Sequence, residues 1–249
     1  DEKKQLIASI VNHNAGILPL VIGIGGNNTP KVIEEIISMD MSPFSAVLSV
    51  TPYYNKPNQE GLYRHFSAIA ENSSLPVILY NVPSRSGVNL TPKTVLRLAK
   101  DFDKIVAIKE ATGDFQQAQI LLKICPKDFL VLSGDDEMSL PMLLGGAKGA
   151  ISVIGNALPE VYSKIVKNGM DGDAKKGYQS QYQILGLIRK IYDEGNPTGI
   201  KVLMNALGLC ENKLRLPLVN ASDSLYNKLN RYFKAVSYTH LTLPTKRIV

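Results

Sequence analysis

Short, almost wholly apolar runs recur along the first two thirds of the chain: Ile17–Ile22, Ser45–Val50, Pro76–Tyr80, Lys104–Lys109, Phe129–Ser133 and Gly149–Val153. Between them lie longer segments whose apolar positions fall three and four apart, such as Val32, Ile33, Ile36 and Ile37 after Thr29-Pro30. Further helical segments are Gln59–Asn72, Thr91–Lys100, Asp114–Ile124, a stretch ending at Leu144, and Val161–Asn168. Runs this short and apolar predict strands covered on both faces. Their alternation with helices predicts parallel pairing through right-handed crossovers. Six strands are counted, and eight would close a barrel. The chain opens on a helical pattern, Asp1–Ala15, with Leu6, Ile7, Ile10 and Val11 on one face. The expectation is therefore an α/β fold, a (β/α)8 barrel lacking its first two strands, over residues 1–168. An open doubly wound sheet is the alternative. It wants a Gly-rich nucleotide loop, and Gly23-Ile24-Gly25-Gly26-Asn27-Asn28 departs from GxGxxG at its last position.

Beyond Pro159 the pattern is helical only. Asp173–Glu194, Pro197–Leu207 and Ser222–Val236 predict a C-terminal helical region over 169–236. Residues 237–249 break the amphipathic pattern and are expected to lie outside the fold as an unassigned tail.

Composition narrows the function. The net charge of +6 is spread without a basic run longer than a pair, so no nucleic-acid stripe is present. The scatter leaves only a weak bias toward small anionic substrates. Cys125 and Cys210 lie far apart and the three histidines form no ligand spacing, so neither a metal nor a cofactor is indicated. No apolar run approaches the roughly 20 residues of a membrane span. The opening Asp1-Glu2-Lys3-Lys4 is not a secretion signal, and a cytoplasmic location is expected.

In parallel α/β barrels chemistry gathers at the C-terminal ends of the strands. Successive strand ends here carry Tyr53-Tyr54, then Tyr80 with Arg85 five residues on, then Lys109-Glu110. A lysine closing an apolar strand is partly desolvated, which disfavours the ammonium and frees an amine for attack on a carbonyl. An imine formed with a 2-oxo acid is an electron sink, so a carbon–carbon bond next to it can form or break. A phenol can move the protons this requires, and a guanidinium offers a fork to a carboxylate. Each residue also has a plain structural reading. Lys109 could be the first exposed residue after a strand, Tyr80 a core tyrosine, and Arg85 a surface residue of a turn. Asp135 and Asp136 read as helix N-caps, and Glu110 as a local hydrogen-bonding partner.

The stretches Val50-Thr51-Pro52-Tyr53-Tyr54-Asn55-Lys56-Pro57, Leu79-Tyr80-Asn81-Val82-Pro83-Ser84-Arg85-Ser86-Gly87, Ile108-Lys109-Glu110-Ala111-Thr112-Gly113 and Leu132-Ser133-Gly134-Asp135-Asp136 together resemble the 4-hydroxy-tetrahydrodipicolinate synthase (dihydrodipicolinate synthase) family. That family sits among the pyruvate-dependent Schiff-base lyases. The resemblance runs in order from near Asp1 to about Val236. It implies that Lys109 forms the Schiff base with pyruvate and that Tyr80 is proton donor and acceptor. It implies that Arg85 takes the carboxylate of L-aspartate 4-semialdehyde and that Ile151 lines the pyruvate site through its backbone. Tyr54 would complete a proton relay in the site of a neighbouring subunit. A homotetramer in the cytoplasm, serving lysine and diaminopimelate biosynthesis, is implied as well. A Gly-Thr-Thr-Gly-Glu motif of the family would precede Asp1. At the family's regulatory lysine site, beside residues matching Asn27 and Tyr53, Lys31 stands where a glutamate is usual. Another aldolase of the same superfamily, an inactive truncated barrel, and a phosphate site at Gly145-Gly146-Ala147-Lys148-Gly149 are the competing readings.

Overall fold

In the computed structural model, which describes residues 2–241, strands and helices alternate after an opening helix. The strands are β1 (Val21–Gly23), β2 (Ala46–Val50), β3 (Val77–Asn81), β4 (Ile105–Glu110), β5 (Leu130–Ser133) and β6 (Gly149–Ala150). Helix α1 (Glu2–Asn14) precedes β1, and α2 (Thr29–Ser38) and α3 (Gln59–Asn72) follow β1 and β2. A short α4 (Pro83–Ser86) and α5 (Pro92–Asp101) follow β3, and α6 (Phe115–Ile124) follows β4. After β5 come α7 (Ser139–Leu144) and, beyond β6, α8 (Pro159–Met170), α9 (Ala174–Lys190), α10 (Thr198–Ala206) and α11 (Asp223–Leu241). The chain divides between Leu132 and Ser133 into two compact units.

In the first unit β1, β2, β3 and β4 pair in sequence order, all parallel, with β5 next in the sheet. The helices start where the sequence supplies caps. Asn28 accepts from the Lys31 N–H, Asn58 from the Gly61 N–H, and Asp114 from the N–H groups of Gln116 and Gln117. Proline opens α2 and α5, where a missing N–H costs nothing. The core between sheet and helices includes Val47, Leu62, Phe66, Ile69, Leu79, Val95, Leu98, Ile108 and Leu121, all fully buried. On the other face of the sheet Ala46, Ile78 and Ala107 form a small apolar cluster with Leu48, Val106 and Leu132 against it.

The β3–β4 ladder contains an irregularity. Val77 is opposite Ile105, but Ile78 is opposite Ala107, so β4 carries one residue more than β3 at that point. From there the register runs Leu79–Ile108, Tyr80–Lys109 and Asn81–Glu110.

In the second unit α7 to α11 surround a core that includes Leu140, Ile154, Ile165, Ile184, Leu187 and Leu203. The Ile151 N–H donates to the Ser133 carbonyl at 2.8 Å. Strand β6 stops three residues short of the predicted Val153 because Asp136 intervenes. Its Oδ2 accepts from the N–H groups of Val153 and Ile154 at 3.2 and 2.8 Å and turns the backbone into a single 3₁₀ turn, Ile154–Asn156. Asp136 is therefore no cap of the following helix α7. Asp135 does take a cap-like position, accepting from Glu137 N–H and Met138 N–H at 2.9 and 3.1 Å.

Other differences from the sequence pattern are local. β1 begins at Val21, and Ile17 and Leu18 ahead of it are exposed. Ile37 leaves the buried face of α2, which Val32 and Ile36 form. Helix α1 forms as expected, but none of its residues is buried. Helix α11 runs five residues beyond the predicted Val236, to Leu241, and the remainder of the expected tail lies outside the described residues.

Candidate active site

The centre of the site is set by strand pairing. Tyr80 and Lys109 are partners in the parallel ladder, and partners in a ladder point to the same face. Strand alternation puts them on the face of Ile78 and Ala107, one step beyond that apolar cluster. Both side chains are half-buried. Lys109 Nζ stands over the Tyr80 ring, 4.1 Å from its centroid, so the ring face meets the cation. Burial pushes the Tyr80 phenol above its ordinary range, and the positive charge of Arg85 partly offsets this. Tyr80 is accordingly a phenol at neutral pH, able to donate a proton.

Arg85 is exposed, on the single helical turn α4, where the sequence predicted only a loop. Pro83 opens that turn, and Gly87, at φ +74°, closes it by donating its N–H to the Pro83 carbonyl at 2.8 Å. Ser86 is buried beneath it and donates to the Val82 carbonyl at 3.1 Å. Gly87 is needed for its left-handed backbone, because the one atom a Cβ would crowd is the far end of the flexible Lys56 side chain, which can move aside. A Cβ there would adopt a left-handed backbone and would lie 2.8 Å from Lys56 Cε. The Lys56 stem thus lies against the Arg85 turn and ties to it the loop that follows β2.

That loop carries the two tyrosines. Tyr54 and Lys56 both have positive φ, +72° and +45°, an arrangement costing non-glycine residues about 1–2 kcal/mol each. Asn55 fixes the loop by donating from Nδ2 to the Asn27 carbonyl at 3.0 Å. Tyr54 is 89% exposed, so the fold does not gather it with Tyr80 and Lys109. Ile151, in the second unit, is half-buried, with its N–H on the Ser133 carbonyl as above.

Sequence reading gave too little weight to a buried polar group on the opposite face of the same two strands. Glu110 is 2% exposed. Its Oε2 accepts from Asn81 Nδ2 and Gln117 Nε2, each at 3.1 Å, and its Oε1 accepts from the Thr112 N–H at 2.8 Å. Asn89 closes the set. Its Nδ2 donates to Gln117 Oε1 at 2.8 Å, and its Oδ1 accepts from Asn81 at 2.8 Å and from Gln117 at 3.1 Å. The signal was available: Asn81 ends an apolar strand, and Gln117 lies on the inner face of an apolar helix.

An amine over a protonated phenol, with a guanidinium on the next turn, can form an imine with a carbonyl compound and exchange protons with it. Known proteins carry the same arrangement of chain. The Dihydrodipicolinate synthetase family matches residues 1–236. A 4-hydroxy-tetrahydrodipicolinate synthase of Flavobacterium psychrophilum is 53% identical over 237 residues, covering 95% of this chain and 81% of that one. The synthase of Azobacteroides pseudotrichonymphae is 46% identical, covering 93% of this chain and 78% of its own. The crystal structure of dihydrodipicolinate synthase from Thermotoga maritima superposes with a TM-score of 0.92 at 35% identity, over 95% of this chain and 81% of that one. That of the chloride-inhibited synthase from Acinetobacter baumannii, complexed with pyruvate, gives 0.91 at 37% identity, over 95% and 81%. With its α/β architecture, its strand-end lysine and tyrosine and this breadth of similarity, the chain belongs to the dihydrodipicolinate synthetase family.

Proposed function

We propose that this chain is a Schiff-base lyase that condenses pyruvate with L-aspartate 4-semialdehyde to 4-hydroxy-tetrahydrodipicolinate, a carbon–oxygen lyase of lysine and diaminopimelate biosynthesis. The observation that carries the reading is Lys109 Nζ lying 4.1 Å above the Tyr80 ring at paired strand ends. The neutral amine of Lys109 adds to the C2 carbonyl of pyruvate, and loss of one water leaves a protonated imine. A proton leaves C3, the resulting enamine attacks the aldehyde carbon of the semialdehyde, and the new alkoxide takes up a proton. The amine of the second substrate then attacks C2, closes the ring and releases Lys109. The balance is one water lost per product.

Tyr80 supplies and recovers protons in these steps, which its raised phenol range supports. Arg85 receives the carboxylate of the semialdehyde, and the Ile151 backbone lines the pyruvate site. Tyr54 serves the site of a neighbouring copy in a homotetramer, a role compatible with its exposure. The six strands, residues 1–168, correspond to six of the eight strands of a (β/α)8 barrel, and residues 169–236 form a C-terminal helical region. The coverage of about four fifths of each relative's length supports this correspondence.

The test is chemical. Incubating the protein with pyruvate and borohydride reduces the imine to a stable secondary amine, which peptide mass analysis locates. The adduct is expected on Lys109, and an unmodified Lys109 overturns the reading.

A further inference from the structure

We propose that Glu110 is a positioning residue for the Tyr80–Lys109 pair, its carboxylate acting as the hub that holds the ends of β3 and β4 in the register the reaction needs. The proposal rests on the reading of Lys109 as the imine-forming amine.

The argument begins with alternation. Lys109 and Glu110 are neighbours on β4, so one points to the reacting face and the other into the layer between sheet and helices. Tyr80 and Asn81 are divided in the same way on β3, and the register pairs Asn81 with Glu110 just as it pairs Tyr80 with Lys109. Any rotation of either strand end therefore moves a member of both pairs. The buried pair is the one fixed in place. Glu110 is a carboxylate with no exposed edge, and three N–H donors from three separate places converge on it: the end of β3, helix α6 and the turn after β4. Asn81 is fixed in turn, accepting from the Leu90 N–H at 2.9 Å, while its backbone carbonyl accepts from the Ala111 N–H at 2.9 Å.

Only an acceptor-only group satisfies this set. A carboxylate presents lone pairs on both oxygens, whereas a carboxamide turns an NH₂ toward at least one of the three donors. Buried donors left facing a donor lose their partner outright, and the loss spreads through a connected network. A leucine core could hold β4 against α6 as firmly, but it would not fix the rotation of the strand end. The network's directional bonds do fix it, and that orientation matters at the reacting atoms, where small misplacements reduce rate more than binding.

Two variants of the full 249-residue chain test the role, with steady-state kinetics and borohydride trapping run beside far-ultraviolet circular dichroism. Glu110→Gln is expected to lower kcat at least tenfold while the pyruvate KM moves less than threefold, in protein with the parent's spectrum. A folded Glu110→Gln protein whose kcat falls less than threefold overturns the proposal. If Glu110→Gln does not fold, Asn89→Ala takes its place, since it leaves every direct bond to Glu110 intact. A kcat loss of threefold or more then supports the positioning role, and a smaller loss overturns it. The parent separates the two readings. Failure to trap Lys109 in the parent sinks the lyase reading and this one together, whereas normal trapping with unaffected variants sinks this one alone.

Discussion

His65 offers a quantitative test of how α2 and α3 are joined. It is 4% exposed, on the buried face of α3, edge-on to Phe66 with ring centroids 5.1 Å apart. Its Nδ1 shares a hydrogen with Thr29 Oγ1 at 2.8 Å, and its Nε2 has no partner among the described residues. A proton added to this ring places a cation in an apolar layer with nothing to receive the second N–H. Burial accordingly lowers the imidazole from 6.5 to about 4. The unfolded chain takes up this proton as pH falls through 6.5, and the folded chain resists it until about pH 4. Stability therefore decreases with falling pH across that window and stops decreasing below it. Between pH 7 and pH 5 the loss from this one ring is about 2 kcal/mol, and the full effect is about 3 kcal/mol. His65→Asn keeps a polar group near Thr29 but has no proton to gain. Urea unfolding of both proteins at pH 7 and pH 5, followed by circular dichroism, isolates the ring's share, because every other titrating group is common to both. The variant is expected to lose about 2 kcal/mol less than the parent over that interval. Parallel losses, equal within about 0.5 kcal/mol, would refute the assignment of His65 as a buried neutral ring.

Gly199→Ala places a Cβ 2.2 Å from the Ile191 carbonyl oxygen and 2.5 Å from its Cα, backbone atoms that have no rotamer to yield. The expected cost is about 3 kcal/mol, a fall in Tm of roughly 6–12 °C. Gly23→Ala, with open space around its Cβ, serves as the control and is expected to stay within about 0.5 kcal/mol of the parent. Tyr80→Phe keeps the ring face beneath Lys109 but removes the proton, and kcat is expected to fall about 100-fold or more while borohydride still traps Lys109. Arg85→Ala is expected to raise the semialdehyde KM at least about tenfold with little change in the pyruvate KM. An equal rise in both would count against the division of labour proposed for Lys109 and Arg85.

The sequence shows period and punctuation well. Apolar runs marked five of the six strands within a few residues, and the helices expected from Thr29, Gln59 and Asp114 start within a residue of those positions, capped by Asn28, Asn58 and Asp114. It shows long-range polar bonding poorly. Asp136 looks like a helix cap because it follows a strand and precedes a helix. Its carboxylate instead reaches the backbone after the next strand, and nothing local encodes that partner. Glu110 is the same case: its two side-chain donors lie 29 and 7 residues away in sequence. Arg85 was found from its residue type, yet the helical turn beneath it was missed, because Pro83 and Gly87 read equally well as a loop. Lys109 and Tyr80 were legible because a charged or phenolic residue at the end of an apolar strand has few reasons to be there.

The irregular pairing between β3 and β4 gives this site a parity. Counting from Val77 opposite Ile105 with no extra residue, Tyr80 would face Ile108 and Asn81 would face Lys109. The single additional residue near Val106 inverts that count, so that amine meets phenol and carboxylate meets amide. What β4 stores is therefore a spare residue as much as a set of side chains. Deleting one small apolar residue there would only remove the irregularity and leave Tyr80 opposite Lys109, whereas deleting two would set Lys109 opposite Leu79 and exchange the reacting face for the buried one. Among sequences related to this one, substitutions between Ile105 and Lys109, and the loss of one residue there, should be tolerated far more readily than the loss of two.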